Sequence, residues 1–169
     1  MKQMIATLII IAPYLCSAQL KLIAPSDLDA NKQEVLDVVL TLFDGMREAD
    51  SAKVHSVFRH DPELYTSFSN KDGKAILKKD ELQKFLNAVG TPHEKVWDEP
   101  LWNIQINIDE NLASVWTDYA FYAGLDFSHC GVDAFMLNKE ENGWKIFHLT
   151  DTRRRIDCDV PDEIKRNRE

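Results

Sequence analysis

The stretch from Trp97 to Thr152 constrains the fold most. It holds four runs rich in β-branched and aromatic residues, separated by short turns. Trp97 to Ile108 carries Leu101, Trp102, Ile104, Ile106 and Ile108, and Asp109-Glu110-Asn111 turns the chain. Leu112 to Ala123 follows, with a bend over Gly124 to Ser128. His129 to Asn138 is the third run. Lys139 to Gly143 then leads into the fourth, Trp144 to Thr152. Such runs between turn-forming residues predict the strands of a meander. What precedes them has a helical period. From Lys32 to Glu48, Val35, Val39, Leu42, Phe43 and Met46 recur three and four residues apart. Asp29 or Asn31 can cap that helix.

A second, short helix is expected after Asp50 or Ser51, with Val54, Val57 and Phe58 inward and Pro62 ending it. Leu64 to Phe68 reads as a strand, Asn70 to Gly73 as a turn, and Lys74 to Leu77 as its return. A third helix is predicted from Lys79 to Val89, with Leu82, Phe85, Leu86 and Val89 on one stripe and Gly90 as its stop. Helices followed by antiparallel strands define an α+β domain, not a doubly wound sheet.

The first eighteen residues read as an address. Lys2 supplies positive charge, Met4 to Ala12 is apolar apart from Thr7, and Cys16-Ser17-Ala18 offers small residues for a cut. That order predicts a secretory signal peptide cleaved after Ala18, and hence a periplasmic or secreted protein with no stable membrane span. The apolar run is shorter than the roughly 20 residues a span needs. Removing 18 of 169 residues leaves a mature chain of 151, with 19 bases against 28 acids. An acidic balance argues against nucleic-acid binding. Residues 19–31 form a leader, 32–155 the domain, and 156–169 a charged tail.

Cleavage at Ala18 removes Cys16 and leaves Cys130 and Cys158. In an oxidising compartment such a pair is expected to bridge. The bridge would pin the tail to a strand. Closing a loop of 28 residues would stabilise the fold by about 3–4 kcal/mol in the chain-entropy picture.

Three local patterns carry a resemblance. Phe43-Asp44-Gly45-Met46-Arg47-Glu48-Ala49-Asp50 looks like a step from a first to a second helix. Gly131 to Leu137 and Gly143-Trp144-Lys145-Ile146-Phe147-His148-Leu149 look like a final hairpin, and Thr150-Asp151-Thr152-Arg153-Arg154 like its end. In order and spacing, residues 32–155 resemble the nuclear transport factor 2-like superfamily, which includes SnoaL-like polyketide cyclases, scytalone dehydratase and ketosteroid isomerase. The end segment is similar to secreted bacterial members of unassigned function. The resemblance implies a curved antiparallel sheet wrapped around the N-terminal helices as a cone, with a pocket at its open end and a homodimer formed through the outer face. No cofactor is expected. Because the ketosteroid isomerases' Tyr and two Asp do not align here residue by residue, no catalytic role carries over.

Alternation places His129, Gly131, Asp133 and Phe135 on one face of their strand, and Trp144, Ile146, His148 and Thr150 on one face of the next. Should those faces coincide, Asp133 and His148 form an acid–base pair, with Tyr119 donating to a substrate oxygen. Trp116, Tyr122, His129 and Phe135 are then candidate walls for a small apolar or aromatic ligand, and Arg153 a clamp at the mouth. The commoner fate of each is core packing or a solvated strand end. The alternatives are thus a binding protein, an isomerase, dehydratase or cyclase, and a scaffold with a filled cone. No His-Glu-x-x-His or Cys-x-x-Cys is present, so no metal is expected.

Overall fold

The computed structural model describes residues 29–166. The signal-like segment, residues 1–18, and most of the leader lie outside the described residues. Helix α1 (Ala30–Arg47) starts where the Asp29 carboxylate accepts the Lys32 amide at 2.9 Å, and its inward stripe is Val35, Leu36, Val39, Leu42, Phe43 and Met46. Helix α2 (Ser51–Ser56) packs back on it at Gly45. A Cβ there would lie 2.7 Å from Val54 Cγ2, so glycine sets the closeness of the two helices.

Strand β1 (Phe58–Ser69) turns through Asn70–Gly73 into β2 (Ala75–Asp80), and α3 (Leu82–Gly90) carries the chain to the far edge of the sheet. There β3 (Trp97–Asp98) and β4 (Leu101–Asp109) both pair with β5 (Leu112–Ala123). Strands β6 (Asp126–Glu140) and β7 (Gly143–Thr152) complete the meander. The sheet order is β2-β1-β7-β6-β5-β3, with β4 also on β5. A short helix, α4 (Asp162–Arg166), lies in the tail. The class is the predicted α+β. No helix among the described residues is long and apolar enough to cross a membrane.

Three details differ from expectation. The sheet is mixed, because β1 runs parallel to β7, with Leu64 opposite Leu149. Strand β1 begins at Phe58 and runs through Pro62, where the sequence predicts the end of a helix. The ladder is irregular between Phe58 and Glu63 and Asp61 takes a left-handed φ of 54°, so proline sits at an interruption and breaks no regular ladder. The predicted strand from Trp97 splits, because Pro100 interrupts pairing between β3 and β4.

The main core joins the α1 stripe to the inner sheet face, including Val115, Phe135, Leu137, Trp144 and Ile146. Fully burying one such side chain contributes about 1.5–3 kcal/mol. A second cluster lies on the outer face. There Trp102, Ala120, Tyr122 and Cys130 are covered by Val160 from the tail, and a Cys130–Cys158 disulfide ties that tail down. Backbone bonds at 2.9 Å between Cys130 and Arg154, in both directions, hold the start of the tail.

Candidate functional site

A cavity of about 420 Å³ opens between α1, α3 and the inner face of the sheet. Leu42, Phe43 and Met46 from α1, Leu64 from β1, Phe85 from α3, Trp97, Phe121 and Leu149 make most of its wall apolar. The exposed residues Glu81, Lys84 and Ala88 mark its mouth. Polar groups gather in the sheet wall: Tyr119 from β5, His129 and Asp133 from β6, Asp151 from β7, Arg153 just beyond it, and Glu99 from the β3–β4 link.

Register explains the gathering. Asp133 lies opposite Asp151 on β7 and opposite Thr117 on β5, and Tyr119 lies opposite Gly131. A Cβ on Gly131 would fall 1.8 Å from the Thr152 carbonyl oxygen and 2.7 Å from Tyr119 Cε1. The glycine therefore lets Tyr119 reach the end of β7, where its hydroxyl donates to the Thr152 carbonyl at 2.8 Å and lies 3.3 Å from Asp151 Oδ2. Arg153 Nε donates to Asp151 Oδ2 at 2.5 Å. Asp98, next to Glu99, accepts from Arg47 of α1 at 2.7 Å and so anchors the link to the helix.

Asp133 is 3% exposed, and no N–H or hydroxyl donates to its Oδ2. Burial and the charges of Glu99 and Asp151 push its carboxyl well above the usual range, and a hydrogen bond to Glu99 raises it further. Glu99 is partly buried and lines the cavity. Burial first, then Asp151, raises it to about 8, although the bond from Asp133 favours its ionised form. The two carboxyls thus share protons as a pair, which can give or take one near neutral pH. Burial, followed by the surrounding carboxylates, drives Tyr119 far above an ordinary phenol, so its hydroxyl stays a donor. Burial and Arg153 hold His129 at about 4, and it is therefore neutral. It lies tilted against Phe121 at 5.2 Å between ring centroids. Burial works against the charge of Arg153, but the bond and charge of Asp151 outweigh it and raise the guanidinium.

Of the residues expected from sequence, Tyr119, His129, Asp133 and Arg153 line the cavity. The pairing of Asp133 with His148 is corrected. Met136 lies opposite His148 but Leu137 lies opposite Ile146, so Phe147 is an extra residue in β7. That bulge reverses the alternation. Leu149 and Asp151 turn inward with Phe135 and Asp133, while His148 turns outward to Tyr65, 5.6 Å away between ring centroids, and to Thr150. Trp116 and Tyr122 are also displaced from the expected wall. Both lie on the outer face of β5, Trp116 half exposed and Tyr122 buried under the tail. Phe135 is on the inner face but packs in the core edge-on to Phe43, at 6.2 Å. Cys130 and Cys158 are bonded. Among the described residues no three His, Cys, Asp or Glu converge to hold a metal.

Glu99 was not singled out from sequence. Read as part of one long strand it is an ordinary alternate residue. The available signal was its parity, since it shares a face with Trp97 and Leu101 as the only acid on an apolar stripe, next to a strand-breaking proline.

A mixed, curved sheet folded over N-terminal helices, with a cavity between them, defines the nuclear transport factor 2-like class. Solved structures share it. A nuclear transport factor 2-like protein of unknown function from Shewanella baltica matches with TM-score 0.57 and 18% identity over 73% of this chain and 94% of its own. One with a cystatin-like fold from Novosphingobium aromaticivorans matches with TM-score 0.60 and 8% identity over 82% and 88%. A putative scytalone dehydratase from the same organism matches with TM-score 0.57 and 15% identity over 77% and 89%. At these identities the likeness establishes the fold alone. Residues 30–149 match the family described as "putative lumazine-binding", and the chain belongs to that family. No curated protein matches the sequence.

Proposed function

We propose that this protein is exported and binds a small, mainly apolar molecule in the cone, with the ligand's polar end against Glu99 and Asp133. The observation that carries the reading is a carboxyl pair, Asp133 buried and Glu99 partly so, in the wall of a mainly apolar cavity of about 420 Å³. Sites with a few convergent polar groups in an apolar lining are how proteins hold small molecules. The family's lumazine-binding description supports a ligand with a flat ring system, and Trp97 and Phe121 supply flat walls for one. Export is supported by the order of charge, apolar run and small residues in the first eighteen positions, and by the use of a disulfide.

The test is calorimetric titration with 2-naphthalenemethanol, an uncharged two-ring probe. We expect saturable binding at one site. Ala88 is exposed at the mouth, so Ala88→Trp should block entry without touching the core. Affinity is expected to fall about tenfold or more, equivalent to ~1.4 kcal/mol, with an unchanged melting temperature. Equal binding by the blocked variant would place the probe elsewhere and end the reading.

A further inference from the structure

The polar wall of the cavity holds more carboxyl groups than cations to match them. Arg153 is engaged by Asp151 at 2.5 Å. At the mouth Lys84 is engaged by Glu81 at 3.0 Å, and Asp80 by Lys78 at 2.9 Å. Asp98 has Arg47 at 2.7 Å. The Tyr119 proton goes to the Thr152 carbonyl, and His129 is held neutral. Glu99 and Asp133 are left facing one another, and no ion pair among the described residues joins either to a cation, although the charge of Arg153 reaches both from its place beside Asp151. Asp133 Oδ2, sealed from solvent and reached by no N–H or hydroxyl, is the kind of buried acceptor that proteins otherwise satisfy. The proton shared between the two carboxyls is one donor. Any further donor comes from what enters the cavity and meets Glu99 and the part of Asp133 that lines it.

We infer that the cavity takes a hydrophobic cation, an ammonium or amidinium group on an apolar ring-bearing body, with its N–H groups donating to Asp133 and Glu99. This rests on the ligand-binding reading and adds the charge class. A neutral hydroxyl can satisfy one of the two carboxyls, whereas an ammonium carries three donors and the missing charge. Trp97 and Phe121 add ring faces to the same lining, and such faces attract cations once water is displaced. An anion meets an acid-rich wall whose lining cations, Arg153 and Lys84, are already paired with Asp151 and Glu81. A metal ion does not fit, since the described residues hold no converging ligand set. The chain's net charge of -8 attracts cations at long range.

The sign of the pH dependence follows. With the cavity empty the pair retains protons. A bound cation stabilises the ionised carboxyls and expels those protons, so affinity rises with pH until the amine itself deprotonates. Neutral ligands lack that gain.

The experiment compares three probes of one shape by calorimetry at pH 7.5, in two buffers of different ionisation enthalpy. They are 2-naphthylmethylamine, 2-naphthalenemethanol and 2-naphthoate. The amine is expected to bind about tenfold tighter than the alcohol or better, to release protons on binding, and to gain affinity between pH 6 and pH 8. The carboxylate should bind more weakly than the alcohol. Joint substitution Glu99→Gln and Asp133→Asn should bring the amine-to-alcohol ratio to within about threefold, which a variant that still binds the alcohol can report. An alcohol that binds as well as the amine, or a carboxylate that binds best, overturns the cation assignment and leaves the ligand-binding reading standing. Absence of binding by all three overturns both.

Discussion

Alanine at position 131 is expected to destabilise the domain by about 3 kcal/mol or more, lowering the melting temperature by roughly 10 °C. A side chain there meets the Thr152 carbonyl at 1.8 Å and the Tyr119 ring at 2.7 Å. The first is backbone and cannot rotate away. Relief requires the end of β7 to lift from β6, which also breaks the Tyr119 bond to Thr152 and carries Asp151 and Arg153 off the cavity wall. Thermal melting monitored by circular dichroism checks this. A Gly131→Ala protein melting within about 2 °C of the parent would show that β6 and β7 do not approach as closely as described.

Cys158→Ala is expected to lower stability by about 3–4 kcal/mol, because opening a 28-residue loop returns that much chain entropy to the unfolded state. Urea unfolding of oxidised parent and variant measures it. The loss concerns more than entropy, since the bridge holds Val160 over Trp102, Ala120 and Tyr122. Reduction of the parent should reproduce the variant's midpoint. If neither treatment lowers the unfolding free energy by about 1 kcal/mol or more, the tail is held without the bridge.

Element order, the α+β class and the limits of β5 were legible because each depends on local pattern. The α1 stripe has a clean helical period, and Leu112–Ala123 is bounded by unambiguous turns. The disulfide could be anticipated because the expected cleavage after Ala18 would leave two cysteines. The site was half legible. His129 and Asp133 share a strand face, as alternation required, and Tyr119 meets them across the ladder. His148 failed because one inserted residue, Phe147, reverses every side chain that follows. No composition rule announces a bulge of this kind. Trp116 and Tyr122 failed because aromatics occupy both faces of β5, and which face turns inward depends on register with β4 and β6. Glu99 was hidden by the reading of one strand where Pro100 makes two. The parallel pairing of β1 with β7 is a contact between distant segments, which local pattern does not encode.

The central claim is that Glu99 and Asp133 share a buried site and hold protons that free carboxyls release. Carbon-13 NMR titration of the side-chain carboxyls, assigned by Glu99→Gln and Asp133→Asn, tests it most directly. The expected result is one carboxyl signal titrating near pH 8, assigned to Glu99, with Asp133 still protonated well above the normal range. The folded state then binds protons that the unfolded chain loses near pH 4. Its stability must therefore fall as pH rises from about 4 to about 8 through these two groups. Two signals that both ionise below about pH 5, as ordinary carboxyls do, would contradict the account, because the pair would then be neither buried nor coupled.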